Sequence, residues 1–156
     1  MAKRTKKTGQ AGAALIELAL ILPLLLLLTF ITTEFGRAVY QYNTIVKSVR
    51  DAVRYLSVQT PGTHIAEARS LIVYGNTTGA GTPLAPGLTL AHVQQPTWQS
   101  AGSTPVINTV TVTVSGYSFQ SLFSSVLGIP FGSFNYNDIS ATMRAPGTGP
   151  APGAGT

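Results

Sequence analysis

From Ala13 to Thr33 the chain carries one charged side chain, Glu17, in a run dominated by leucine, isoleucine and alanine. At about 1.5 Å per residue, a helix of that length reaches roughly 30 Å, the hydrocarbon thickness of a bilayer. The stretch 13–33 therefore reads as a transmembrane helix. A cleaved secretory signal is the competing reading, but its apolar core lasts only roughly 7–15 residues before a small-x-small site. This run ends instead in Thr32-Thr33-Glu34-Phe35-Gly36-Arg37, without a clear site. Pro23 removes the backbone hydrogen bond to the Ala19 carbonyl and predicts a bend there, which membrane helices tolerate where neighbours cover the freed carbonyl.

The helical pattern continues past the apolar run. Phe35, Val39, Tyr42, Val46, Val49, Val53 and Leu56 recur at spacings of four and three, the signature of one apolar stripe on a helix. These seven are the expected helix-packing residues. Lys47, Arg50 and Arg54 fall on another face, read as solvated, with a polyanion-binding strip as the alternative. Pro61-Gly62 is the expected stop, so residues 34–59 form an amphipathic continuation of the same helix.

The net charge is +5, yet Lys3, Arg4, Lys6 and Lys7 supply four of the ten basic residues. Without them six basic residues stand against five acidic ones, and the chain is nearly neutral. The positive charge thus belongs to a leader, residues 1–12, and a basic leader before an apolar run is a topology signal rather than a nucleic-acid surface. The absence of cysteine excludes disulfides, thiol catalysis and cysteine-held metals. Residues 145–156, rich in proline and glycine, have no core-forming side chain and read as a disordered tail.

Residues 60–144 remain for a small α+β domain, near the lower limit for a self-sufficient core and so expected to lean on the preceding helix. Thr63 is the expected cap of a short second helix that buries Ile65, Ala68 and Ile72 and ends at Gly75. A Gly/Pro/Thr loop follows. Leu88–Val93 alternates weakly as a strand, and Val106–Tyr117 alternates well, with Val110, Val112 and Val114 on one face. Phe134–Met143 alternates with a slip near Asn137-Asp138, the mark of a bulge or turn. Phe119–Leu127 is expected as a short helical connection. The sum is a small antiparallel sheet laid against the stripe of the long helix.

The chemistry concentrates at Gly12, Ala13 and Glu17. A carboxylate in hydrocarbon costs about 2.5–3.5 kcal/mol on insertion scales and calls for a cation at its depth. If the chain is cut after Gly12, the new Ala13 amine, with a reference pKa near about 8, is largely protonated at neutral pH. It would lie one helical turn from Glu17 in its own helix, or meet the Glu17 of a staggered neighbour. Such a pairing sets depth and register, as one polar residue does in coiled coils. Glycine before the cut lets the backbone lie extended in a narrow protease cleft. The plainer alternative is an ordinary membrane anchor whose glutamate sits near the headgroups.

Gly12 with Glu17, the Leu-Pro-Leu-Leu run around Pro23, Glu34-Phe35-Gly36-Arg37, and the downstream helix Lys47-Ser48-Val49-Arg50-Asp51-Ala52-Val53-Arg54-Tyr55 together resemble the N-terminal region of the TadE-like family. These are minor pilins or pseudopilins of the bacterial tight-adherence (Flp) pilus system. The resemblance covers Gly12 to Ser57. It implies a pilin-like fold and cleavage between Gly12 and Ala13 by an aspartic prepilin peptidase. It also implies use of Glu17 in subunit packing, with other pilin or pseudopilin subunits, the pilus assembly platform and inner-membrane lipid as partners. An N-terminus in the cytoplasm and a periplasmic C-terminal domain follow mainly from the same likeness, because Arg37, Lys47 and Arg50 near the other membrane edge weaken the charge bias. The mature chain would begin with alanine, unlike the commonest type IV pilins.

Rival readings have less support. His64 and Glu67 lie one turn apart, but two ligands without a third make a poor metal site, so no metal, cofactor or catalytic residue is expected. Gly75-Asn76-Thr77-Thr78-Gly79-Ala80-Gly81 lacks the lysine and helix of a phosphate loop. Nucleic-acid binding through Arg37, Lys47, Arg50 and Arg54 fits poorly with a near-neutral trimmed chain. The second hypothesis retained is a membrane-anchored periplasmic binding module for a wall polymer or surface glycan. Trp98, Tyr117, Phe119, Phe134 and Tyr136 would be its platform; their competing role is in the core.

Overall fold

A computed structural model describes residues 8–123, 125–126, 128–130 and 132–145. Most of the basic leader and nearly all of the expected tail lie outside these. The architecture is α+β, with a long N-terminal apolar helix and a small antiparallel sheet on its C-terminal half. Helix α1 spans Thr8–Leu56 and runs through Pro23. Leucine and alanine favour the conformation, and three threonines near the end of the apolar run bond back onto it. The hydroxyls of Thr29, Thr32 and Thr33 donate to the carbonyls of Leu25, Leu28 and Thr29 at 2.8, 2.7 and 2.8 Å. A hydroxyl bonded to its own helix can face hydrocarbon with no donor left unmade. By length and composition α1 can cross a membrane.

Helix α1 stops at Leu56, three residues before the expected Gln59. Thr60 precedes Pro61 and is pushed out of helical geometry; the Ser57 amide still makes the helical bond to the Val53 carbonyl, and the Gln59 amide turns to the Leu56 carbonyl in a tighter i→i−3 bond. Helix α2, Ile65–Tyr74, ends as expected on Gly75 at φ 73°, whose N–H donates to the Leu71 carbonyl. Its start differs from expectation. Thr63 spends its hydroxyl on the Thr60 carbonyl at 2.7 Å, and His64 enters the helix at φ 56° without a side-chain cap.

The chain divides into two compact units. One comprises α1 up to Arg37 with Ser121–Gly132; the other comprises Ala38–Gln120 with the chain from Ser133 onward. The second unit holds a three-stranded antiparallel sheet of β1 (Thr97–Ala101), β2 (Ile107–Val114) and β7 (Ile139–Ala145), with β2 central. Strands β3 (Ser118–Phe119) and β6 (Phe134–Asn135) pair separately in that unit, while β4 (Ser125–Val126) and β5 (Ile129–Pro130) pair in the first.

Val110, Val112 and Val114 are buried, as their alternation predicts, and lie opposite Met143, Ala141 and Ile139 of β7. They join Ile45, Val49, Ala52, Val53 and Leu56 of α1 and Ala68, Ile72 and Val73 of α2 in one core. The helix thus lends the sheet the apolar surface that so short a domain lacks.

Three strand-level expectations are corrected. Leu88–Val93 is not a strand: His92 Nδ1 accepts the Thr89 N–H at 3.1 Å, the backbone curls into a 3-10 turn at Leu90–His92, and only Val93 bridges to Val114. Phe119–Leu127 is not helical where it is described, since its residues contribute to β3 and β4. The slip near Asn137-Asp138 is a full break, and it sends β6 and β7 to different sheets.

Candidate functional site

Gly12, Ala13 and Glu17 all lie in α1, in its exposed apolar part. Ala13 and Glu17 are four residues apart and therefore share a face. Around Glu17, Leu15, Ile16, Leu18 and Leu20 are each more than half exposed, so the carboxylate stands on a surface that otherwise suits lipid. The Gly12–Ala13 bond is helical here, not extended. Glycine weakens a helix interior by about 1 kcal/mol, which eases local unwinding at this bond. A side chain built at Gly12 meets nothing within 4 Å.

At the other end of the apolar run lies a polar node, all within the first unit. Glu34 is 5% exposed. Its Oε1 accepts from Arg37 Nη1 at 2.7 Å, and its Oε2 accepts from Ser121 Oγ at 2.7 Å and from the Leu122 N–H at 3.2 Å. The Ser121 hydroxyl has a second acceptor, the Phe123 carbonyl at 2.9 Å. Four residues before Glu34, the Phe30 ring packs on Phe123 with centroids 5.0 Å apart. Burial pushes the Glu34 carboxyl toward the neutral form, but the bonds from Ser121, Arg37 and Leu122 and the Arg37 charge outweigh it and hold the pKa below the ordinary value. In the sequence Glu34 and Arg37 stand out only as part of a family likeness. An acid three residues before a base, at the edge of an apolar run, was the available signal.

In the second unit the packing face of α1 is displaced from the expected stripe. Val49, Val53 and Leu56 are fully buried and Val46 partly so, but Val39 and Tyr42 are each 42% exposed. Phe35, in the first unit, is 70% exposed. Ala38, Gln41, Ile45, Ser48 and Ala52 are buried in their place. Two tyrosines set this phase. Tyr117 Oη lies 3.0 Å from Gln41 Oε1 and 2.9 Å from the Pro86 carbonyl, two acceptors for its one proton; Tyr136 Oη donates to the Ala38 carbonyl at 2.7 Å. A small residue and an amide must face the sheet for those hydroxyls to be satisfied, and the larger apolar residues turn outward. Tyr117 and Tyr136 stack at 5.7 Å and 11°, and Tyr136 also meets Tyr42 at 5.6 Å. Burial and the neighbouring Tyr117 raise the Tyr136 hydroxyl's pKa.

The remaining sites predicted from sequence are spread apart. Lys47, Arg50 and Arg54 are exposed on α1. His64 contacts Thr63 Oγ1 at 3.0 Å and Tyr55 edge-on at 6.2 Å. Among the described residues no three of His, Asp and Glu converge as metal ligands. Of the five aromatics proposed as a platform, Tyr117 and Phe119 are each 2% exposed and Trp98 and Tyr136 pack on the core, leaving Phe134 at 48%.

No curated protein and no solved structure matches the chain. The family model described as TadE-like protein matches residues 12–54. That segment takes in Gly12, Ala13, Glu17, Glu34, Arg37 and the helix face that carries the core, and over it the chain is similar to the TadE-like family.

Proposed function

We propose that this protein is a non-enzymatic minor pilin or pseudopilin of a tight-adherence pilus, supporting pilus assembly and surface attachment. A prepilin peptidase cuts it between Gly12 and Ala13. The freed Ala13 amine then neutralises Glu17, in its own helix or in a staggered neighbour, and this fixes the depth and register of subunits in the membrane. The helix faces left open by the chain's own packing, including Phe35, Val39 and Tyr42, are available to other subunits. The basic leader stays cytoplasmic and the sheet-bearing unit is periplasmic. The observation that carries this reading is the placement of Glu17 on the exposed apolar part of α1, one turn after Ala13. The TadE-like match over residues 12–54 supports it.

Intact-mass measurement on protein from native membranes tests the proposal. The expected mass lacks residues 1–12. Gly12→Val should retain them, and because a side chain at Gly12 meets nothing within 4 Å, that variant alters processing without disturbing the fold. A working wild-type protein that still carries residues 1–12 would overturn the proposal.

A further inference from the structure

Ser121–Gly132 (SLFSSVLGIPFG) holds no charged side chain. A surface hairpin exposed to water is ordinarily polar at its tip and flanks. Here Leu122 is 67% exposed, and the strands β4 and β5 reverse through Gly128 at φ 80°. The segment belongs to the same compact unit as the apolar part of α1. Two contacts fix its height along that helix. The Glu34 carboxylate, one position beyond the apolar run, accepts from Ser121 and Leu122. Phe30, inside the run, packs on Phe123. Phe30 lies about 6 Å before Glu34 along the helix, so Ser121, Leu122 and Phe123 step from the polar edge of the run onto its apolar surface.

We propose that the described residues of Ser121–Gly132 form a second membrane-contacting element, a hairpin seated in the interfacial layer of the bilayer beside the spanning helix. The occupant facing its exposed Leu122 is lipid. Beside the Phe30 contact the helix surface is itself suited to lipid, with Leu28 61% and Ile31 44% exposed. The step of about 6 Å also falls within the roughly 5–10 Å to which interfacial elements insert. The Glu34 carboxylate positions the hairpin by holding its first two residues at the edge. A single span can slide and tilt in the bilayer; a second contact at one edge sets its height, and so the depth at which Glu17 lies. The inference rests on the reading of α1 as spanning the membrane, but not on pilus assembly.

The chain has no cysteine, so single-cysteine variants of the full-length protein can carry an environment-sensitive fluorophore in phosphatidylcholine vesicles with brominated acyl chains. Leu24→Cys reports the span and Val58→Cys the water phase. Leu122→Cys should be quenched at least half as strongly as the span site and several-fold more than the water site. Adding Glu34→Ala should reduce quenching at position 122 severalfold and leave position 24 unchanged. Quenching at 24 with position 122 behaving like 58 would overturn the hairpin alone. No quenching at 24 would overturn the spanning reading and the hairpin with it. Quenching at 122 that ignores Glu34→Ala would overturn the positioning role of the carboxylate.

Discussion

Glu34→Ala is the most informative single change in the first unit, because the Leu122 amide reports on it directly. Two of the bonds to the carboxylate come from the docked segment, Ser121 Oγ at 2.7 Å and the Leu122 N–H at 3.2 Å. Hydrogen bonds to a charged group contribute about 1.5–3 kcal/mol each. Three features put the loss below the sum. The Ser121 proton can turn to the Phe123 carbonyl, the Leu122 N–H can find water, and the carboxylate, though shielded from solvent contact, has only a thin cover of protein. About 2 kcal/mol is the resulting expectation, or a roughly thirty-fold rise in local opening at about 1.4 kcal/mol per factor of ten. Glu34→Gln keeps an acceptor but no charge and should lose about half as much, a roughly five-fold rise. Hydrogen exchange of the full-length protein in lipid nanodiscs, read at the Leu122 amide against the amides of β2, measures both. If Leu122 exchanges in Glu34→Ala as it does in the wild type, the carboxylate does not hold the segment.

The same node predicts a pH dependence. Since the Glu34 pKa is lowered in the fold, its contribution is whole above the ordinary carboxylate pKa and is lost as pH falls through the lowered value. Leu122 protection relative to β2 should thus stay flat at neutral pH and drop only in acid. Ile45→Ala removes a fully buried core side chain of the second unit and should cost about 2–5 kcal/mol, seen as a lower denaturation midpoint for that unit. Glu17→Leu removes a carboxylate that costs about 2.5–3.5 kcal/mol in lipid. Membrane insertion should therefore be intact on carbonate extraction while pilus number falls; unchanged piliation would remove its assigned role.

What was legible in the sequence was local. The apolar run and the heptad spacing gave α1, Gly75 gave the end of α2, and the alternating valines gave β2. What was not legible depended on distant partners. Tyr117 and Tyr136 lie 76 and 98 positions from the helix groups they bond, and those bonds turn Gln41 and Ala38 inward where hydrophobicity alone favours Val39 and Tyr42. Strand β1 was missed because Thr97–Ala101 is an edge strand with mostly exposed residues, so it shows no apolar alternation. Ser121 meets Glu34 across 87 positions, and neither residue carries a local sign of the other.

Glu17 inside the apolar run and Glu34 just beyond it meet their surroundings in different ways. Glu34 is shielded from water, and its charge is met within its own unit by a guanidinium, a hydroxyl and an amide. Glu17 makes no ion pair among the described residues, yet it sits where the surrounding side chains suit hydrocarbon. A carboxylate at such a place has to find a cation, take up a proton or reach the headgroups. Proton uptake would leave Glu17→Gln functional, because a neutral hydrogen-bonding group of the same shape remains, and a headgroup position would tolerate Glu17→Asp with a slight change of depth. Pairing with the Ala13 amine tolerates neither easily: glutamine gives up the charge, and aspartate shortens the reach toward an amine fixed to the backbone one turn away. Defective assembly in both variants, with membrane insertion unchanged, is therefore the pattern that separates the amine from the other two ways of keeping a carboxylate in lipid.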